Sequence, residues 1–202
     1  MLKAIKRTFG RMALDRYKRT KQQAAVTYAV HALRSASKQA RSAKYAFLIT
    51  IGDSGWPSAR LVEPIIEPDF QGIWIGTNPS LRKMTEIDSN PKVTLAFADK
   101  RAQANLVIYG DATIETDLAL RRRYWRAQWR LFFPEGPKGE DYVLIRIVPQ
   151  RMEVMDFARN IIAEPFGLKP ALLEFVDGAW RKHGNERRLP HRPRERKPKR
   201  LR

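Results

Sequence analysis

The chain has no cysteine and only three scattered histidines, His31, His183 and His191. The first absence removes disulfides, a thiolate nucleophile and cysteine-held zinc or iron–sulfur centres. The second argues against a histidine metal centre, and no metal is expected. No apolar run approaches the ~20 residues that span a bilayer. The first residues also lack the apolar stretch of a secretory signal, so the expected setting is the cytoplasm. Acidic residues are scarce at both ends, with one in residues 1–44 and one in residues 187–202.

That last scarcity explains the net charge of +18. Residues 1–44 carry +11 and residues 187–202 carry +8, whereas residues 45–186 come to −1. The basicity belongs to the ends, and the middle reads as an ordinary near-neutral domain. Three parts are expected: a basic helical segment over 1–42, a domain over 43–186, and an Arg/Pro-rich tail over 187–202 that cannot bury a core.

Residues 2–41 read as helix, with Leu2, Ile5, Phe9 and Met12 on one stripe and Ala24, Ala25, Tyr28, Ala32 and Leu33 on another. The basic first half is also compatible with a mitochondrial-type presequence or a membrane-surface helix. From residue 44 the period changes to two. YAFLITI, SARLVEPII, GIWIG, PKVTLAFAD and NLVIYGDATIE read as strands. Pro64 interrupts the second and marks an edge or bulge. PSLRKMTEIDSN reads as a helix opening near Pro79, and TDLALRRRYWRAQWRLFF as a helix capped by Thr116 or Asp117. DYVLIRIVPQRMEVMDF adds one or two strands, and a hairpin is expected around Asp177–Gly178. Short antiparallel strands with few helices favour closure into a barrel, which removes exposed edges.

The stretch TNPSLRKM, residues 77–84, follows the apolar run GIWIG. Hydroxyls at Thr77 and Ser80, cations at Arg82 and Lys83, and a helix start are what a phosphate dianion requires. The same order also suits a capped, solvated helix start.

Four motifs in order widen the reading: GDSGWPSARLV, WIGTNPSLRKMTEIDSNPKVTLAF, NLVIYGDATI and YWRAQWRLFFPEGP. Over residues 43–156 the chain resembles the flavin-binding split-barrel superfamily of the pyridoxamine 5′-phosphate oxidases, in particular its general stress protein branch. The resemblance implies a mainly β protein with flanking helices, a six-stranded antiparallel split β-barrel, homodimeric, binding flavin mononucleotide (FMN). It implies that Arg82 and Lys83, with Thr77, hold the cofactor phosphate, and the Ser80 hydroxyl is expected to add a donor. It also implies that Arg60, Leu61 and Val62 run beside the isoalloxazine ring, and that Asn105 reaches the cofactor from the partner subunit. The expected activity is that of an FMN-dependent oxidoreductase of unknown substrate, since the cofactor carries the redox chemistry. No paired carboxylates, Ser/His/Asp set or activated lysine identifies a catalytic residue.

The chain departs from that pattern at Leu81, where a small polar residue is common, and at Met155, where the stress-protein branch tends to have Trp. The Arg-Leu-His-Asp-Arg segment of true pyridoxamine phosphate oxidases is absent, which speaks against vitamin B6 as substrate. Other readings stay open. Arg60 also fits a plain strand-face cation, and Asn105 a strand edge. Trp125, Trp129 and Phe133 fit packing better than a cofactor lid. The basic ends suit contact with nucleic acid or an anionic lipid surface. The same barrel could instead hold a deazaflavin or haem, although the few histidines argue against haem.

Overall fold

The computed structural model describes residues 26–161 and 169–183. The expected helical stripe at Leu2–Met12, the pair Ala24 and Ala25, and the basic tail lie outside them. The first described element is helix α1, residues 26–43. It lays Ala29, Ala32, Ala36 and Ala40 into the core, a spacing that brings small side chains onto one face. Tyr28 and Leu33 pack beside them.

Among the described residues nine strands follow, all paired antiparallel. They are β1 (Ala46–Ile51), β2 (Pro57–Val62), β3 (Ile65–Ile66), β4 (Ile73–Thr77), β5 (Lys92–Asp99), β6 (Ala104–Glu115), β7 (Val143–Asp156), β8 (Ala171–Val176) and β9 (Ala179–Lys182). Their order is β2-β1-β5-β6-β7-β4-β3, with the β8–β9 hairpin hung from β7. Period-two alternation sends Ala46, Leu48, Val93, Leu95, Phe97, Leu106 and Ile108 inward. Asp177 and Gly178 take positive φ, 50° and 75°, and make the tight turn expected between β8 and β9.

The two ends of the sheet path, β2 and β3, are consecutive in the chain, with only Glu63 and Pro64 between them. The barrel therefore closes through the chain at this seam, not through a hydrogen-bonded ladder. Pro64, which has no N–H to donate, sits at that break, as its place in the sequence suggested. Counted as one interrupted strand, residues 57–66 complete six barrel strands. The expected six become nine because Pro64 divides that stretch and the β8–β9 hairpin extends the sheet.

Two short helices flank the barrel, α2 (Arg82–Ser89) and α3 (Leu118–Arg123). Asp117 caps α3 by accepting from the Leu120 N–H at 2.9 Å. The long aromatic helix expected from residue 117 to 133 is not formed. Arg126 is extended (φ −116°, ψ 131°), and a 3₁₀ turn follows at Ala127–Leu131. The break lets Tyr124 stack on Trp74 at 4.3 Å and Arg126 reach Glu63 at 2.6 Å. A continuous helix could not point both inward. Trp74, Tyr124, Trp129, Phe133, Tyr142 and Leu144 form a second, aromatic cluster on the other side of β4 from the main core.

Candidate functional site

A cleft of about 460 Å³ lies where β2, the end of β4 and the 127–133 segment meet. Leu61 and Val62 of β2, Ile75, Gly76 and Thr77 of β4, then Asn78, Leu81 and Lys83 line it, together with Tyr45, Glu63, Trp129, Phe132 and Phe133. Gly76 lets the aromatic wall close on the strand. A Cβ at that position would stand 2.6 Å from Trp129 Cζ3 and 2.9 Å from Tyr142 Cε2.

In the cleft wall Thr77 is 3% exposed, and its Oγ1 has no hydrogen-bond partner. A buried hydroxyl left unpaired is costly, so its presence on a cleft wall points to an absent acceptor or donor. Lys83 lines the same cleft. Burial and the charge of Arg60 hold its ammonium below the ordinary lysine value, and Glu86 offsets this only in part.

Between these two residues the chain turns. The amide and hydroxyl of Ser80 both donate to Asn78 Oδ1, at 2.9 and 2.6 Å. The helix therefore starts at Arg82, not at Pro79–Ser80 as the sequence suggests, because the Asn78 side chain captures Ser80 in a turn first. Leu81 occupies the N-cap position with extended backbone and no side-chain acceptor. The first amides of α2 thus lack a side-chain cap, which makes the helix start electropositive and receptive to an anion.

Arg60 and Arg82 do not line the cleft. Arg60 points inward, donates to Thr50 Oγ1, and donates to Glu86 Oε2 at 2.7 Å. Arg82, 76% exposed, pairs with Glu86 Oε1 at 3.0 Å. Arg60 is therefore not a free strand-face cation; it belongs to a buried charge cluster.

Asn105 sits on β6, between Ala98 of β5 and Met155 of β7, away from the cleft. It shares the outer face of the sheet with Val107. That face carries an apolar row across four strands, Leu61–Phe47–Ala96–Val107 in register. Phe47 and Leu61 are 52% and 60% exposed, and Leu61 belongs to both the row and the cleft.

Of the eight residues the sequence singles out, Leu61, Val62, Thr77 and Lys83 line the cleft. Arg60 and Arg82 stand behind it on Glu86, Ser80 is held in the turn, and Asn105 lies on the outer face. Sequence reasoning missed Glu86, Thr50, Glu63, Tyr45 and Phe132, and it read Trp129 and Phe133 as packing, whereas they both pack and line the cleft. The signal for Glu86 was its place four residues after Arg82, the spacing of a helical ion pair.

Fold and cleft together define the class: a mainly β, antiparallel split barrel with flanking helices. The chain belongs to the pyridoxamine 5′-phosphate oxidase family, which residues 33–156 match. Solved structures share the fold. A protein from Clostridium acetobutylicum related to general stress protein 26 is 20% identical, with a TM-score of 0.60, over 70% of this chain and 93% of that one. General Stress Protein 26 from Bacillus anthracis is 21% identical, with a TM-score of 0.53, over 61% and 93%. A pyridoxamine 5′-phosphate oxidase-related, FMN-binding protein from Nostoc punctiforme is 16% identical, with a TM-score of 0.51, over 75% and 91%. At such identities the likeness concerns fold. No curated protein matches the chain. Among the described residues no helix is long and apolar enough to cross a membrane.

Proposed function

We propose that the chain is an FMN-binding flavoprotein that acts as a homodimeric oxidoreductase. The observation that carries this reading is the buried, unpartnered Thr77 hydroxyl, which lines the same apolar-walled cleft as Lys83, close in the chain to an uncapped helix start. In this reading Thr77, Lys83 and the first amides of α2 hold the phosphate, with Arg82 behind them on Glu86 and Ser80 in the adjoining turn. Leu61 and Val62 flank the ring, and the backbone of β2 from Arg60 onward has one edge that no strand pairs. Bound FMN would supply the transfer of hydride or single electrons. The chain's own part is to bind, orient and shield.

A second copy docked on the row Leu61–Phe47–Ala96–Val107 would bury exposed apolar surface and bring its Asn105 toward this cleft. The protein should then sediment as a dimer at micromolar concentration, and Phe47→Glu should yield monomers. A wild-type monomer would remove this part of the reading.

The cofactor is tested by titrating FMN and riboflavin, followed by flavin fluorescence. A charge-assisted contact is worth about 1.5–3 kcal/mol, so Lys83→Ala should weaken FMN roughly ten- to a hundredfold. Arg82→Ala should act in the same direction, and riboflavin should hardly change in either variant. Arg101→Ala serves as a surface-charge control. Equal wild-type affinities for the two ligands would refute the phosphate site.

A further inference from the structure

Glu86 is absent from the cleft lining, yet three elements converge on it. Its carboxylate accepts from Thr50 at the end of β1 and from Arg60 on β2. It also pairs with Arg82 one turn earlier on α2. Gly52 leaves it room, since a Cβ there would stand 3.0 Å from Glu86 Cγ. Only 8% of the Glu86 side chain is exposed.

A carboxylate buried this far needs partners, and one arginine would neutralise it. Here Arg60, Arg82 and neighbouring Lys83 face a single acid, which leaves two positive charges in excess. A phosphate monoester carries close to two negative charges near neutrality. The closest approach of Arg82 to the acid is through Nε, so its terminal nitrogens remain for another partner. Burial pushes the Glu86 carboxyl up. The hydrogen bonds from Thr50 and Arg60 and the charges of both arginines outweigh that, so it stays ionised below the usual carboxylate range.

Resting on the reading that the cleft holds FMN, we infer that Glu86 is the positioning residue of the phosphate end. It fixes Arg60 and Arg82 as a rigid cationic backing and so makes the site select the phosphorylated flavin. A bare counter-charge would behave in the opposite way. Removing it would add net positive charge and tighten FMN, whereas removing a positioning group weakens FMN despite the added charge.

The experiment compares FMN and riboflavin affinities for Glu86→Gln, Glu86→Asp and Thr50→Val, with Lys83→Ala in parallel. Glu86→Gln should weaken FMN about tenfold and leave riboflavin within about twofold, with partial recovery in Glu86→Asp. Thr50→Val keeps the carboxylate but loses a hydroxyl that orients it, so it should lose about threefold for FMN alone. This variant carries the test if Glu86→Gln does not fold. Unchanged or tighter FMN binding in Glu86→Gln overturns the inference, as does an equal loss of both ligands. If Lys83→Ala loses FMN while Glu86→Gln and Thr50→Val do not, the FMN reading stands and Glu86 falls. A wild type indifferent to the phosphate brings down both.

Discussion

Asp156 and Glu86 are both buried carboxylates that accept from a hydroxyl and an arginine, but their charge surroundings differ. Asp156, at the end of β7, takes Ser35 from α1 and Arg159 at 2.7 Å, together with the Arg159 amide at 3.0 Å. Gln39 reinforces the same junction by donating to the Met155 carbonyl at 3.1 Å. Arg159 answers Asp156 there and also acts on Asp99, so no positive charge is left over. Glu86 meets two arginines with a lysine beside them, next to a cleft that holds an unpaired hydroxyl. Charge with no surplus fastens a helix to a sheet; surplus charge of one sign suits the phosphate proposed for the cleft. A buried salt bridge is by itself weak evidence of function, and the count of charges around it separates these two.

The largest effect that would sharpen this contrast is at the balanced site. Asp156→Asn should cost about 3 kcal/mol, because it strands Arg159 and loosens α1. In a chain of this size that lowers Tm by roughly 6–12 °C. The ratio of FMN to riboflavin affinity should not move. If thermal melts are unchanged, or the ratio shifts, the two carboxylates are not divided as described.

Acid comes next and acts on both sites. Each carboxyl is pushed up by burial and pulled down further by its hydrogen bonds, for Asp156 those from Ser35 and Arg159. Folded values lie below unfolded ones, so the stability they contribute is fully present above the unfolded value of about 4. It is lost as pH falls through the depressed folded values. Circular dichroism during acid titration should show Asp156→Asn with a shallower loss than wild type. Parallel curves would contradict this.

The smallest effect lies at the alkaline end and concerns the cleft alone. Phosphate binding favours charged Lys83, whose value is depressed by burial and by Arg60. FMN affinity should therefore decline as pH rises, starting below the ordinary lysine value of about 10.4. Riboflavin affinity should stay flat over the same range. A level FMN curve up to pH 10 would mean that Lys83 does not meet the phosphate.

Much of the barrel was legible because strands announce themselves locally. Val93, Leu95 and Phe97 alternate, Pro64 has no N–H for a ladder, and Asp177–Gly178 suits a tight turn. The 117–133 segment misled because Trp125, Trp129 and Phe133 recur at helical spacing. They converge instead through a broken backbone, with Trp125 edge-on to Trp129 at 6.3 Å and Phe133 against Tyr142 at 5.1 Å. Tyr142, which lies beyond the end of the segment, is the ring on which all three meet. The cleft was half legible for the same reason. Thr77 and Lys83 belong to one continuous stretch, whereas the roles of Arg60 and Arg82 depend on Thr50 and Glu86, which only folding brings together.

The contact between Gly76 and the rings of Trp129 and Tyr142 constrains how this cleft can diverge. Any side chain at residue 76 collides with an indole and a phenol at once, so no single exchange there is tolerated while both rings remain. A smaller residue at 129 would relieve the nearest clash but leave Tyr142 in place. Routes to a wider pocket are therefore ordered: the aromatic positions must change before the glycine, and the reverse order passes through an unfavourable intermediate. In descendants of this barrel, residues 76, 129 and 142 should vary as a set, and the order of their changes would record how the pocket was remodelled.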